Sequence, residues 1–450
     1  MAATILKGRI SRSAFARRFT LASLAVALIA SAAYAKKGSD YFFPGNLVVS
    51  RSVYDNNPNT IRVGATLPPN CASTLGGCSF GAVNDGTYPQ VWNNNLSDSS
   101  FGITSKIFLD QITPSGALVT SLEVPNSSQN GVPPTKDQMV TSFSPKSELA
   151  LNLSTDHNYL TFMGYIAPID AIDVSNSNTP GAVDPTNPVG ENVFRAVAQV
   201  DQKGKFKFTK TNAYSGNNGR AAILNNSFDA NFFYTAGNAG NGGNPQPDSI
   251  IVAAGAQIMD PQTKALVAQD PGTPTPVASF NITQLGDTAD KIGKDDNFRG
   301  LTIFNNVVYL TKGSGGNGVN TVYFVDSTGT VCTDANGVGP PALSASLPTT
   351  PLPYDPAVLQ TKGLDPNNMC ILKGFPTALK TKTSFPFGIW FADANTLYVA
   401  DEGNGDNGYS TITGKFTKAA AQTTAGLQKW LFDPASGNGS PPTLCKLDWR

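Results

Sequence analysis

Acidic and amide side chains are concentrated in one short stretch near the end of the chain, DEGNGDN, which begins at Asp401. Their oxygen atoms suit calcium, because Ca²⁺ binds carboxylate and carbonyl oxygens in flexible loops. The spacing is not that of an EF-hand, since Gly403 and Gly405 occupy the third and fifth positions, where that loop has ligands. The candidate metal ligands are Asp401, Glu402, Asn404 and Asp406.

A second acid-rich stretch, DTADKIGKDDN, begins at Asp287 and is the weaker calcium candidate. Lys291 and Lys294 lie between its acids and oppose the binding of a cation. The oxygen-bearing residues of this stretch are Asp287, Asp290, Asp295, Asp296 and Asn297. A solvated loop at a strand end is the alternative for both stretches, and calcium is the one cofactor that the sequence suggests.

Histidine chemistry is restricted by number, because the sequence contains one histidine, His157. A Ser-His-Asp or Cys-His site would have to use it. It lies in a polar turn, TDHNY, which predicts an exposed turn residue. A pair of carboxylates could hydrolyse glycosides, but the glutamates stand alone in polar surroundings and none is marked as a catalytic acid. The sequence therefore identifies no catalytic residue.

The five cysteines are compatible with an oxidising compartment. Cys71 and Cys78 lie within one loop rich in Pro and Gly, and Cys332 and Cys370 flank another, so each pair is a candidate disulfide. Cys445 is left over. No close Cys-x-x-Cys pair of the kind found in structural zinc sites is present, so zinc is not expected.

The first 35 residues have the organisation of a secretory signal peptide. Five basic residues and no acid accompany the apolar segment FTLASLAVALIASAA, and Ala33-Tyr34-Ala35 fits the rule for cleavage. The apolar run is short for a membrane span, so a signal anchor is the weaker alternative and no stable membrane insertion is expected after cleavage. We predict a signal peptide over residues 1–35 and a single exported domain over residues 36–450, periplasmic or extracellular.

The predicted mature chain is acidic and poor in charge. It contains 27 Lys and Arg against 32 Asp and Glu, a formal charge of −5. A nucleic-acid partner is not expected, because it needs a clustered basic surface. The 43 Gly, the 32 Pro and the low share of charged residues, 14%, are typical of an all-β protein with many turns and long polar loops.

One strand-turn-strand pattern occurs four times along the chain. Its turn asparagines are Asn158, Asn231, Asn306 and Asn395, at spacings of 73, 75 and 89 residues. Three of the four turns have Asp two residues earlier, and Asp and Asn suit such turns because their side chains bond nearby backbone. A second hairpin follows the first in most periods, so each period holds four short strands.

Four-stranded units repeated around an axis describe a β-propeller. The sequence thus predicts an all-β propeller with long loops and five blade units, at residues 44–124, 147–212, 219–286, 298–335 and 385–450. A β-sandwich or β-solenoid is the alternative, but a sandwich has no reason to repeat one turn at even spacing and a solenoid repeats at shorter periods. Two expectations stay open: five blades close the ring, or the chain is truncated from a propeller of six or seven.

The segment PFGIWFADANTLYVADEGN resembles the repeat of NHL-type propellers and of the gluconolactonase-like and streptogramin-lyase-like propellers. The matching residues are Pro386, Gly388, Ile389, Leu397, Tyr398, Val399, Ala400, Asp401, Gly403 and Asn404. Gluconolactonase-like propellers bind a divalent metal in the channel, but Asp401 matches their structural repeat and not their ligands. Other hairpins resemble those of uncharacterised exported bacterial propeller proteins. The resemblance therefore implies the architecture and leaves the chemistry open.

Two functions remain. The first is a non-enzymatic binding or surface-interaction module for a protein or carbohydrate ligand, with the long loops as its recognition face. The second is a metal-dependent, lactonase-like hydrolase or lyase with carboxylates at the channel mouth. Aromatic side chains bear on the first: Trp390 and Trp430 lie in strand patterns and are predicted to be core, whereas Trp92, in a long loop, is the candidate for exposure. We favour the first function because no catalytic set is identifiable.

Overall fold

A computed structural model gives the structure of the chain. The residues that it describes are 41–53, 66–67, 82–83, 103–129, 138–143, 149–171, 174–180, 191–211, 213–238, 255–261, 279–280, 297–313, 319–326, 331, 338–339, 347, 369–378, 384–403, 409–410, 412–413, 415–418, 425–433 and 438–445. Within these ranges no helix has the length and apolar character of a membrane span.

The first unit departs most from a regular blade. Its strands are β1 (Leu47–Val53), β2 (Thr66–Leu67), β3 (Ala82–Val83), β4 (Ile103–Ile112), β5 (Leu118–Glu123) and β6 (Thr141–Phe143). The main sheet runs β1-β4-β5, β6 pairs with the start of β4, and β2 pairs with β3 in a separate two-stranded sheet. We call the sheet formed by β1, β4, β5 and β6 blade 1.

Blades 2 and 3 are four-stranded antiparallel sheets. The strands of blade 2 are β7 (Asn152–Leu153), β8 (Tyr159–Tyr165), β9 (Arg195–Asp201) and β10 (Phe206–Thr211). Those of blade 3 are β11 (Gly219–Asn225), β12 (Phe232–Gly237), β13 (Ala256–Met259) and β14 (Ser279–Phe280). In each blade the strands pair in chain order. A 3-10 turn, Val174–Asn176, lies between β8 and β9.

Blades 4 and 5 follow blade 3 along the chain. The strands of blade 4 are β15 (Phe298–Phe304), β16 (Val307–Lys312), β17 (Thr321–Val325), β18 (Val338–Gly339) and β19 (Met369–Leu372), in the order β15-β16-β17-β19-β18. Blade 5 pairs β20 (Pro386–Asp393), β21 (Thr396–Asp401), β24 (Gly426–Asp433) and β25 (Asn438–Cys445). Between β21 and β24 lies a small hairpin of β22 (Tyr409–Ser410) and β23 (Lys415–Phe416).

The predicted all-β propeller is confirmed: five sheets form its five blades, and their strand pairs are antiparallel except for the parallel pair of β18 and β19 in blade 4. Two details of the predicted blade units are wrong. β6 belongs to blade 1 although it lies beyond residue 124, and β19 supplies the fourth strand of blade 4 although it lies beyond residue 335. In both cases the strand lies far along the chain from the strand with which it pairs, and such a distant pairing cannot be read from the local strand pattern.

The repeated turn lies in the first hairpin of blades 2, 3, 4 and 5. In blade 2 the carboxylate of Asp156 accepts hydrogen bonds from the backbone N–H of Asn158 (3.0 Å) and from its side-chain amide (2.8 Å). In blade 5 Asp393 accepts a bond from the backbone N–H of Asn395 (2.8 Å). The Asp two residues before the Asn therefore closes the turn, as the sequence predicts.

The blades stack through their first strands, since β11 packs on β15 and β15 packs on β20. Each of these strands has a break in register close to its first residue, between Gly219 and Ala221, Phe298 and Leu301, and Pro386 and Ile389. A bulge turns a side chain away from the pleat. The same end of blades 3, 4 and 5 thus carries a repeated irregularity, and we call this end the bulged end.

Candidate functional site

Asp401, the first of the predicted metal ligands, ends β21 at the bulged end and is 7% exposed. Its carboxylate accepts backbone bonds from Phe385 (3.0 Å) and Gly403 (2.7 Å) and a side-chain bond from Ser384. Gln428 on the neighbouring strand adds a further side-chain bond. Asp401 therefore ties the chain before β20 and the turn after β21 to the end of the blade.

Burial raises the pKa of Asp401 above its ordinary value, and the bonds from Ser384, Phe385, Gly403 and Gln428 oppose that rise. The same bonds occupy both carboxylate oxygens. A carboxylate that is buried away from water needs hydrogen-bond donors. The donors that Asp401 binds are thereby held in place, so its carboxylate orders the loop.

The other predicted metal ligands are only partly described. Glu402 is half-buried, and its backbone N–H donates to the carbonyl of Phe385 (2.9 Å). Asn404 and Asp406 lie outside the described residues. Among the residues that the structure describes, no group of three His, Cys, Asp or Glu side chains could hold a metal ion. Calcium at this loop stays a prediction.

In the second acid-rich stretch only Asn297 is described, and its side-chain oxygen accepts a hydrogen bond from Arg220. Asp287, Asp290, Asp295 and Asp296 lie outside the described residues, as do Cys71, Cys78 and Cys332. Cys370 is fully buried in β19. The two cysteine pairings therefore stay predictions.

His157 is exposed in the blade 2 turn with a φ of 62°, so the prediction of an exposed turn residue is confirmed. Asp156 beside it is held by the turn. Partial burial raises its pKa, but bonds from Ser154, Asn158 and Asn226 outweigh that effect and lower the pKa to about 2. Asp156 is therefore a turn-closing carboxylate.

An apolar pocket lies at the other end of β21, between blades 4 and 5. Its walls come from the end of β19, from the β20–β21 turn and from β24. The lining residues are Leu372, Lys373, Phe375, Phe391, Ala394, Asn395, Thr396, Leu397, Trp430, Leu431 and Phe432. Lys373, Asn395 and Thr396 form the polar margin of this apolar pocket.

A tight turn after β19 builds the floor of the pocket. The backbone N–H of Phe375 donates to the carbonyl of Leu372 (3.1 Å), and Gly374 has a φ of 98°, a conformation that favours glycine. The turn lays the Phe375 ring on the indole of Trp430, with centroids 4.0 Å apart and an angle of 26° between the planes. The indole N–H donates to Gln428 (2.9 Å), which satisfies the polar edge of the ring.

The described tryptophans divide differently from the prediction. Trp430 is partly buried against the core, as expected, but Trp390 is 59% exposed, so the prediction that it is a core residue is wrong. Trp390 lies on the face of blade 5 that points away from blade 4, where it stacks on Tyr398 at 6.0 Å. A strand pattern cannot show which face of a terminal blade is covered. Trp92 lies outside the described residues.

Sequence reasoning missed the pocket because its floor comes from β19, a strand inside a stretch predicted as loop. The sequence signal was GFP after the apolar run of β19, where Gly374 permits the turn and Phe375 follows it.

Comparisons with known proteins add no activity. No family model matches the sequence, and no curated protein matches it. Among solved structures, the acylaminoacyl peptidase of Pyrococcus horikoshii aligns over 76% of this chain and 48% of its own, at 10% sequence identity and a TM-score of 0.25. The chain thus spans about half of that protein, and a likeness of this degree supports no conclusion. The class of the protein, an all-β five-bladed propeller, follows from its own sheets.

Proposed function

We propose that this protein is an exported β-propeller that acts as a non-enzymatic binding module, with the pocket between blades 4 and 5 as its ligand site. The observation that carries the proposal is the stacked pair of Phe375 and Trp430 beside a cavity with a polar margin. Export is part of the proposal and rests on the signal-peptide pattern of residues 1–35.

The lining residues determine which chemical class of ligand the pocket suits. Phe391 and Leu397 are 8% and 5% exposed and form an apolar wall, while Leu431 is 43% exposed at the entrance. A small apolar group placed against this wall would displace water from apolar surface. Lys373 and Asn395 at the margin can meet polar atoms that the same ligand carries. The fitting ligand is an apolar group on a polar body, such as an aryl glycoside or a peptide with an exposed aromatic residue.

The test is isothermal titration of residues 36–450 with aryl glycosides and with short aromatic peptides. We expect one family to bind and Trp430→Ala to abolish binding. Because Trp430→Ala removes core contacts, Ala394→Trp is the second variant: Ala394 is exposed, and the larger side chain fills the pocket from its rim. The matched control is Trp390→Ala, which removes an exposed tryptophan outside the pocket and should bind normally. Undiminished binding by Ala394→Trp would overturn the pocket assignment.

Calcium at Asp401, Glu402, Asn404 and Asp406 and the disulfides Cys71–Cys78 and Cys332–Cys370 belong to the same proposal as stabilising features. Of these four cysteines the structure describes Cys370, which is fully buried in β19. Thermal melting with calcium and with EDTA tests the metal: an unchanged melting temperature would remove calcium from the proposal. The hydrolase or lyase alternative predicts turnover of lactones or aryl glycosides that is lost on Glu402→Gln.

A further inference from the structure

One aromatic side chain is presented to solvent at the end of the blades opposite the bulged end, which we call the turn end. Phe228 lies in the β11–β12 turn of blade 3 and is 95% exposed. Its φ is 54° and that of Asp229 is 63°, so two consecutive residues are left-handed. Blade 4 has Asn305 and Asn306 in this conformation, which asparagine tolerates and a bulky side chain rarely adopts. Blade 3 therefore combines a strained backbone with a large apolar group in water, and blade 4 shows that the hairpin needs neither.

Hydrogen bonds to blade 2 hold the turn of Phe228 in place. The backbone N–H of Asn226 donates to the hydroxyl of Thr155 (3.0 Å), and the hydroxyl of Ser227 donates to the same oxygen (2.9 Å). The side-chain oxygen of Asn226 accepts a bond from the backbone N–H of Asp156 (3.2 Å). Phe228 is thus carried by a turn that is already ordered, which lowers the entropy cost of placing it in a complex.

The apolar pocket between blades 4 and 5 lies at the same end of the propeller as Phe228. The first strands β11, β15 and β20 pack in succession, and their register breaks mark the bulged end of each. The turns that follow β11 and β20 therefore both lie at the turn end. The β11–β12 turn holds Phe228, and the β20–β21 turn supplies Ala394 and Asn395 to the pocket.

The Phe228 turn and the pocket are complementary in chemistry and in charge. The pocket presents an apolar wall that includes Phe391 and Leu397, against which an aromatic ring can pack, and Lys373 at its margin. Phe228 is followed by Asp229, which is also exposed. An aromatic ring beside a carboxylate thus matches an apolar wall beside an ammonium group, and such a charge pair fixes the orientation of a complex.

We propose that the pocket between blades 4 and 5 binds the Phe228 turn of a second copy of this chain. The inference rests on the proposed function of the pocket as a binding site and names a protein partner for it. Because Phe228 and the pocket lie at the same end, two copies can face each other across a two-fold axis, so that each binds the Phe228 of the other. The contact is then made twice and closes at a dimer. A small ligand that occupies the pocket competes with the second copy.

Sedimentation velocity of residues 36–450 over a wide range of concentration measures the association, and we expect a reversible equilibrium of monomer and dimer. Phe228→Asn introduces a residue that suits the turn. It should weaken the dimer about a hundredfold, because the contact of an aromatic anchor is lost twice. Phe228→Tyr keeps the ring and should dimerise as the wild type does. The matched control is Ile412→Asn, since Ile412 is also 95% exposed but lies in the β22–β23 hairpin, which leaves β21 at the bulged end.

Variants on both sides of the contact test where the ring docks. Ala394→Trp fills the pocket from its rim and should prevent the dimer. Asp229→Lys and Lys373→Asp should each weaken the dimer, since each places like charges opposite one another. A chain that carries both changes should dimerise more strongly than either single variant. A loss of folding would not produce this restoration.

Four results would overturn the proposal. The first is a wild-type chain that stays monomeric at every concentration. The second is a dimer that Phe228→Asn leaves unchanged, which would mean that the copies meet through another surface, such as the face of blade 5 that exposes Trp390. The third is a dimer that Phe228→Asn weakens and Ala394→Trp does not. The fourth is a charge-swapped double variant no stronger than the single ones.

Calorimetry with aryl glycosides and aromatic peptides distinguishes a failure of this inference from a failure of the proposed function. Binding of either probe to a chain that stays monomeric would overturn the inference and leave the ligand site standing. A dimer that is lost on Ala394→Trp, in a chain that binds neither probe, would support the inference and remove the small ligand. If both hold, the probe that binds should shift the wild-type chain from dimer to monomer.

Discussion

Blades 4 and 5 have the same first hairpin in different surroundings. In blade 4 every residue of β16 is buried, whereas in blade 5 the side chains of β21 alternate between buried and partly or fully exposed. Tyr309 and Tyr398 occupy the same register position, opposite Thr302 and Trp390 respectively. Tyr309 is fully buried against Phe391, and Tyr398 rests on a tryptophan that is 59% exposed.

The difference shows that the local sequence specifies the hairpin, whereas the neighbouring blades determine how much its side chains contribute to stability. A blade between two others buries both faces, so each of its side chains must fill a defined space. Blade 5 packs one face on blade 4, and Trp390 of β20 is exposed on the opposite face. Equivalent substitutions in the two blades should therefore have unequal effects.

The largest expected effect is at the paired tyrosines. Tyr309→Ala removes a fully buried ring and should lower the free energy of unfolding by about 4 kcal/mol, mainly through the cavity that it leaves. Tyr398→Ala, at the half-buried equivalent position, should cost about 1 kcal/mol. Urea denaturation followed by circular dichroism measures both. Equal losses would mean that the two blades are equally enclosed.

The next effect is at two glycines in equivalent positions. A Cβ on Gly300 would lie 2.0 Å from the backbone oxygen of Phe387 in blade 5, while a Cβ on Gly388 would meet only the Cβ of Ala400, at 3.4 Å. Gly300→Ala must push blades 4 and 5 apart and should cost about 3 kcal/mol, in the upper range of overpacking. Gly388→Ala should change stability by less than about 0.5 kcal/mol. The same denaturation series tests this, and a tolerated Gly300→Ala would contradict the close contact.

A smaller effect is expected at the two aspartates of β20 and β21. Asp401→Ala leaves the buried donors of Phe385 and Gly403 without their acceptor and should cost about 2 kcal/mol. Asp393→Ala removes the acceptor of one exposed turn bond and should cost about 0.5 kcal/mol. Differential scanning calorimetry in calcium-free buffer isolates the hydrogen bonds from any metal. A larger loss at Asp393 would show that the turn, and not the strand end, holds the blade.

The smallest effect is a pH dependence at Asp156 in blade 2. Its pKa is lowered from 3.8 to about 2 in the folded chain, so the ionised carboxylate stabilises the fold above pH 4. That contribution is lost as the pH falls from about 4 to about 2. The stability difference between the wild type and Asp156→Asn should therefore shrink over this range. The control is Asp229→Asn in the turn of blade 3. A stability difference between the wild type and Asp156→Asn that grows as the pH falls would contradict the prediction.

Several features of the fold were predictable because they depend on local chemistry. The Asp-x-Asn turns close through bonds between near neighbours, so their spacing predicts the hairpins and hence the blades. The exposure of Trp390 was not predictable, since it depends on whether another blade covers that face of blade 5. The pocket was missed for the same reason: Phe375 meets Trp430 only after different blades stack.

The central claim is that the pocket beside Trp430 binds ligand, and Trp430 itself provides the most direct measurement. A chain in which Trp92, Trp390 and Trp449 are replaced by Phe retains Trp430 as its sole tryptophan. Titration with the aryl glycoside or aromatic peptide that binds best should produce a saturable change in the emission of Trp430. In the otherwise wild-type chain, Ala394→Trp should abolish the binding that calorimetry detects. Binding with no change in the emission of Trp430 would contradict the account, because the ligand would then bind elsewhere on the propeller.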